Sequence, residues 1–333
     1  MASDREQDAP RVLIIGASGF VGASVALAAA SRHDLVPVAC MRHPNNALSA
    51  AGIEQRTCDA TDSAALTRAL RGVSYAVNCV LGNHQTMLAV TRNLCAAATQ
   101  VKLRRIVHIS SMAVYGKMNG TVDEASVLNP ATHYARAKAA CEAVVQTFIS
   151  AGGDAVILRP ACVYGPGGEQ WVGRICRWLC AGRVGLLGEL GEGTCNLTFN
   201  EDLASAVVAA LTSAGVNGQA FNIADSEPGT WNQYFLRLGH ELGVRVPRVS
   251  RSRINLETTL LAPPLQIAKL AGQRLGFRPG LLPEPIPPSV LSLWRQHLHL
   301  NCRKAHDKLQ SQQTPLEQGL RLSASWFRSA ATH

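Results

Sequence analysis

Val12-Leu-Ile-Ile-Gly16-Ala-Ser18-Gly19-Phe20-Val21-Gly22 decides the fold. Its first four residues form a continuous apolar run, the pattern of a short parallel strand covered on both faces. Three glycines follow at a spacing of three, and the alanine-rich stretch from Val21 to Ser31 predicts a helix. Strand, glycine turn and helix in that order make a cradle for phosphate. Gly16 permits the tight turn, Gly19 lets the backbone approach a pyrophosphate, and Gly22 lets the helix close on the strand. The start of the helix adds unpaired N–H groups and a partial positive charge. The spacing G-x-x-G-x-x-G is one residue longer in its first gap than the G-x-G-x-x-G dinucleotide fingerprint. Alone, it also suits an ordinary strand-to-helix turn.

Farther along, His133-Tyr134-Ala-Arg-Ala-Lys138 sets a tyrosine and a lysine four residues apart in a helical pattern. That spacing stacks both side chains on one face, with about 5–6 Å between their Cβ atoms. A lysine ammonium this close favours the phenolate and lowers a tyrosine pKa that is ordinarily about 10. Such a tyrosine can donate or accept a proton near neutrality. Upstream, the Ser111 hydroxyl is suited to polarising a carbonyl or steadying an alcohol. These are the groups that hydride transfer between a nicotinamide and a carbinol carbon requires. In an isolated helix the same pair is merely an amphipathic feature; its place after a dinucleotide turn favours chemistry.

Six segments together resemble the extended short-chain dehydrogenase/reductases, the NAD-dependent epimerase/dehydratase type. They are Gly16–Gly22, Cys58-Asp59-Ala60, His108-Ile-Ser110-Ser111-Met-Ala-Val-Tyr-Gly116, Tyr134-Ala-Arg-Ala-Lys138, Leu158-Arg-Pro160-Ala-Cys162-Val163-Tyr-Gly-Pro166 and Asn200-Glu-Asp-Leu-Ala204, in family order. The resemblance implies a catalytic set of Ser111, Tyr134 and Lys138, with Tyr134 as acid/base. It also implies a cofactor site of Gly16, Ser18, Gly19, Phe20, Val21, Gly22, Arg42, Asp59, Ala60, Cys79, Val80, Leu81, Ser110, Tyr134, Lys138, Pro160 and Val163. Ser111, Cys162 and Asn196 are the expected substrate contacts. Ser110 should point to the opposite side of its strand from Ser111.

The rest of the 333 residues agrees with an α/β fold. Strands are predicted near 11–15, 34–40, 53–58, 74–80, 104–110 and 154–160. Helices are predicted near 20–31, 62–71, 84–101 and 131–151. The alternation implies βαβ units, hence a Rossmann-type, doubly wound parallel sheet. The expected division is a polar, disordered tail over 1–10 and a dinucleotide-binding domain over 11–165, to which 196–225 returns. A smaller, mostly helical substrate-binding part covers 166–195 and 226–333. The tail does not resemble a signal peptide, and no stretch is apolar enough to span a bilayer. Ten scattered cysteines without a secretory signal indicate a reducing, cytoplasmic compartment. No C-x-x-C occurs, and Cys176 with Cys180 or Cys302 with His306 lacks the second couple a structural zinc needs, so no metal is expected.

Cofactor choice turns on the end of the second strand. An acid there accepts hydrogen bonds from the ribose hydroxyls and repels a 2′-phosphate. The chain has Arg42 instead, whose guanidinium can grip that phosphate. NADP is therefore preferred over NAD, the alternative being a solvated surface arginine.

Substrate is less legible. The first choice is a secondary alcohol or ketone of a nucleotide-linked sugar, acted on by an oxidoreductase or epimerase. Against it, the resemblance leads one to expect asparagine at Cys162 and Met87 and arginine at Cys195. Arg174, Arg177 and Arg183 are candidates to hold a diphosphate in their place. The alternative is an apolar, hydroxysteroid-like alcohol, and a third is a non-catalytic NADP sensor. The net charge of +9 favours anionic small molecules or anionic lipid. The segment 253–300, with Lys269, Arg274 and Arg278, is either a membrane-surface element, a lid, or a packed subdomain. Nucleic-acid binding is not expected, since no recognition motif occurs. A homodimer through helices 84–101 and 131–151 is implied by the resemblance.

Overall fold

The computed structural model describes residues 9–265, 267, 268, 284–310 and 313–331. Lys269, Arg274 and Arg278, and the tail before residue 9, lie outside the described residues. Strands β1 (Arg11–Ile15), β2 (Val36–Met41), β3 (Glu54–Thr57), β4 (Tyr75–Asn78) and β5 (Arg105–Ile109) match five of the predicted runs to within a few residues. The next, β6 (Gly120–Val122), lies outside the main sheet, and β7 (Ala155–Pro160) completes the predicted set. Three more follow, β8 (Cys162–Tyr164), β9 (Leu197–Phe199) and β10 (Ala220–Ile223), and the last, β11, is Leu298–Leu300. Seven of them form a wholly parallel sheet in the order β10-β7-β5-β4-β1-β2-β3. The order reverses between β1 and β4, which opens a crevice at their carboxyl ends, where such sheets bind ligands.

Helices cover both faces of the sheet. Helix α1 (Phe20–Ala30) follows the glycine turn, and α2 (Asn46–Ala50), α3 (Ser63–Ala69), α4 (His84–Val101) and α5 (His133–Ser150) come next. One apolar layer joins α1 to the 200–212 helix beneath β1, β5 and β7. The other joins α3, α4 and α5 through Leu66, Val90, Leu94 and Val145. Strand β4 ends two residues before the predicted 80, because the Asn78 side chain accepts the Val80 N–H and turns the chain.

Beyond residue 166 come α6 (Arg174–Cys180), α7 (Asn200–Thr212), α8 (Trp231–Leu242), α9 (Arg251–Asn255), α10 (Pro288–Trp294), α11 (Arg303–Leu309) and α12 (Leu316–Ala331). Trp178, Trp231, Trp294, Tyr234 and Phe235 form an aromatic core among them, with rings 5.1–6.4 Å apart. Two parallel pairs stitch this part to the sheet: β8 with β9, and β6 with β11.

Candidate active site

The glycine turn lies at the crevice. Gly16 has φ +84°, a conformation open to glycine at little cost, and its N–H donates to the Cys40 carbonyl at 3.0 Å. A side chain at Gly22 would drive its Cβ into the Gly16 carbonyl and the Ala17 Cα. Gly19 caps α1 with no side-chain hydrogen bond to the first-turn N–H groups. A cradle that a Cβ would fill, beneath an open helix start, fits a pyrophosphate. Ser18 and Gly19 are exposed, Phe20 and Val21 half-buried, and the Phe20 ring packs under the Gly167–Gly168 turn.

Arg42 stands exposed just past β2. Near it, Asp59 accepts hydrogen bonds from the Thr61 N–H at 2.9 Å and hydroxyl at 2.7 Å. Those bonds, helped by the Arg42 charge, hold its carboxyl below the usual carboxylate value. Ala60 is buried, and its carbonyl is held by Asn93 at 3.1 Å. Cys79 and Val80 pass under Gly16, and burial pushes the Cys79 thiol up to about 12. Leu81 is 70% exposed.

At the carboxyl end of β5 the chain turns through Ser111, whose Oγ accepts the Ala113 N–H at 3.2 Å. Thr132 caps α5 by accepting the Ala135 N–H at 3.1 Å, which fixes Tyr134 in the first turn. The Tyr134 hydroxyl lies close enough to Ser111 for that hydroxyl to act on its ionisation. Lys138, one turn on, is 4% exposed and donates from Nζ to the Ile109 carbonyl at 2.7 Å. The direction of the tyrosine shift is opposite to that expected from the lysine. Tyr134 is 40% exposed, yet desolvation of its hydroxyl end raises its pKa, the neighbouring Ser111 hydroxyl opposes this, and the nearby Cys162 adds to the rise. Lys138 is bonded to backbone instead, and its own pKa is lowered by burial.

Ser110 points inward, and its hydroxyl donates to Glu142. There it meets a buried network that the sequence reading missed. Arg159 grips Glu142 through Nε at 3.0 Å and Nη2 at 2.7 Å, and donates to the Tyr115 hydroxyl at 2.9 Å. Tyr115 in turn donates to Asn222 at 2.7 Å. The signal was Arg159 itself: a charge inside the apolar run 155–160 demands a partner. Pro160 is buried on β7 and Val163 half-buried on β8.

On the substrate side, several candidates are already committed. Asn196 is 2% exposed, donates to the Leu298 carbonyl at 2.6 Å and accepts the Leu300 N–H at 3.1 Å, so its amide secures β11. Cys162, Cys195 and Met87 are buried, and burial raises both thiols. Arg177 pairs with Glu169 and Glu284, while Arg183 pairs with Glu257. The Arg174 guanidinium lies 5.7 Å from the Trp178 ring centre. The arginines expected to hold a diphosphate are thus largely engaged within the protein. Among the described residues, no three His, Cys, Asp or Glu side chains gather as a metal site.

Comparison with known proteins fits this geometry. The model of the NAD dependent epimerase/dehydratase family matches residues 12–224, from β1 through β10. The chain belongs to that family. It is accordingly an enzyme of the NAD(P)-dependent oxidoreductase or epimerase/dehydratase type. Among curated members, the 2'-dehydrokanamycin reductase of Streptomyces kanamyceticus is 29% identical over 72% of this chain and 68% of its own length. The 3beta-hydroxysteroid-dehydrogenase/decarboxylase isoform 1 of Arabidopsis thaliana is 27% identical over 74% of this chain, which spans 59% of the plant protein. The UDP-glucuronic acid 4-epimerase of Bacillus cereus, solved with NAD, superposes with a TM-score of 0.74 at 18% identity, covering 96% of this chain and 99% of that one. That superposition shows a shared fold.

Proposed function

We propose that this family member is an NADP-dependent oxidoreductase acting on a secondary alcohol or ketone of an uncharged, largely apolar molecule. The observation that carries the reaction type is the gathering of Ser111, Tyr134 and Lys138 at the crevice, Ser111 beside the tyrosine and Lys138 one turn behind it on α5. The pairing of Arg177 and Arg183 with glutamates carries the substrate class. It reverses the preference of the sequence reading, in which a nucleotide-linked sugar came first. Arg42, with no acid at the end of β2, supports NADP over NAD.

In this reading the residues divide the work. A nicotinamide dinucleotide, when bound, supplies or takes up the hydride. Ser111 orients the substrate oxygen, and Tyr134 gives it a proton in reduction or removes one in oxidation. Lys138 would hold the ribose beside the nicotinamide through its ammonium. Cys162, close to Tyr134, offers an apolar wall, and the parts 166–195 and 226–333 enclose the substrate. The outward faces of α4 and α5 are the proposed homodimer contact. The free cysteines support a cytoplasmic setting.

The test is mass spectrometry of small molecules released by denaturing freshly purified protein, followed by an NADPH-absorbance screen of ketones and alcohols. An empty site with turnover of apolar ketones is expected. Retained dinucleotide together with a nucleotide sugar would overturn the substrate class in favour of an epimerase that recycles its own cofactor.

A further inference from the structure

An unusual surface, formed by none of the crevice residues, runs along 245–267. Val244-Arg245-Val-Pro-Arg248-Val-Ser-Arg251-Ser-Arg253 holds four arginines in nine residues, with no acid from Leu242 to Leu256. The fold sorts this run by alternation. Val249 is buried, and Val244 and Val246 pack on the aromatic core. A parallel bridge between Leu186 and Arg248 holds the backbone, with hydrogen bonds of 2.9 Å on either side. The four arginines are left exposed, and none has an ion-pair partner among the described residues. Ser250 then caps α9 by accepting the Arg253 N–H at 3.3 Å. The helix continues through Leu256–Leu261, burying Ile254, Glu257, Thr258 and Ala262. Its opposite side leaves Leu256, Leu260, Leu261 and Ile267 exposed by 46, 66, 41 and 69%.

We propose that Arg245–Ile267 is a docking surface for anionic lipid bilayers. With one side of the segment fixed to the core, its arginines and its aliphatic side chains are both left exposed along one continuous stretch of chain. Basic residues followed by exposed leucine and isoleucine suit a bilayer interface, where cations meet lipid phosphates and aliphatic groups enter the acyl boundary. A nucleic acid offers phosphates but gives these four aliphatic side chains nothing to enter. Each arginine is expected to contribute roughly fivefold to partitioning, and salt to weaken it. The docking needs no particular substrate and does not depend on the reading of the active site.

The test is co-sedimentation of the full chain with phosphatidylcholine–phosphatidylglycerol vesicles, with pure phosphatidylcholine as reference. Binding to the anionic vesicles alone, falling as salt rises, is expected. Two variants separate the contributions: R245Q/R248Q/R251Q/R253Q, and L256Q/L260Q/I267Q. Each should lose at least about tenfold in partitioning, while retaining NADP binding as evidence of folding. No selectivity for anionic vesicles in the unaltered protein would overturn the proposal, and that measurement needs no variant. Loss in the arginine variant alone, together with tight binding of wild type to an oligonucleotide, would overturn it in favour of a soluble polyanion.

Discussion

The dinucleotide crevice and the substrate side treat polar groups in opposite ways. At the crevice, glycines replace side chains, and the first turn of α1 leaves its N–H groups without a side-chain cap. Across from it, the side chains that chemistry invites one to use are bonded within the protein: Asn196 to β11, Arg177 and Arg183 to glutamates. One surface is open to a polyanion; on the other, Arg177 and Arg183 are paired with glutamates while Arg174 lies against Trp178. Sharing a family with nucleotide-sugar enzymes therefore does not carry their substrate with it.

The sharpest way to separate the two sides is Tyr134→Phe. Turnover should fall about 10²–10⁴-fold, the usual contribution of a positioned acid/base, with dinucleotide affinity nearly unchanged by titration. Equal losses in both would merge the regions and defeat the acid/base role. Next comes Glu142→Gln on α5, which leaves Arg159 buried without its counter-ion. Denaturant unfolding should show a loss of about 3–5 kcal/mol. A loss near zero would mean that the pair is solvated.

A ligand-induced shift compares the two sides directly. NADP at a hundred times its Kd should stabilise the fold by about 2.7 kcal/mol, whereas UDP should leave the melting temperature in place. Stabilisation by UDP would break the contrast. Arg42→Ala should weaken NADP roughly ten- to a hundredfold, the range for losing hydrogen bonds to a charged group, and leave NAD almost untouched. Equal weakening of both would remove the 2′-phosphate assignment. A last effect concerns Asp225, which burial and then Asp202 push from 3.8 up to about 7. The folded state holds a proton there that the unfolded chain releases, so this group makes stability fall as pH rises between 3.8 and about 7. Asp225→Asn should flatten that decline in melting temperature, and an unchanged slope would assign it to other groups.

What could be read from the sequence follows the same divide. Strands β1, β2, β4, β5 and β7 are largely apolar runs flanked by turns, whereas the edge strand β3 is the polar Glu54–Thr57, and the motifs place Ser111, Tyr134 and Lys138 within one local region. The three-residue strands β6 and β11 are too short for periodicity, and they pair residues far apart in the chain. The mate of Arg183 is 74 positions away, so no window of sequence reveals that its charge is taken. Lys138 was legible as a neighbour of Tyr134. That its ammonium bonds the Ile109 carbonyl depends on strand geometry that spacing does not encode.

The pairing of β6 with β11 has a consequence for the order in which the molecule is completed. Gln296 donates to the carbonyls of Gly116 and Met118, and the Gly120 N–H donates to His297. The loop between Ser111 and Tyr134 is thus secured by residues made late in synthesis, whereas the strands flanking the glycine turn are all made before residue 80. Contacts so distant in sequence form slowly. A nascent chain can therefore have made the strands around its glycine turn while the groups meant to act beside it are still waiting for their brace.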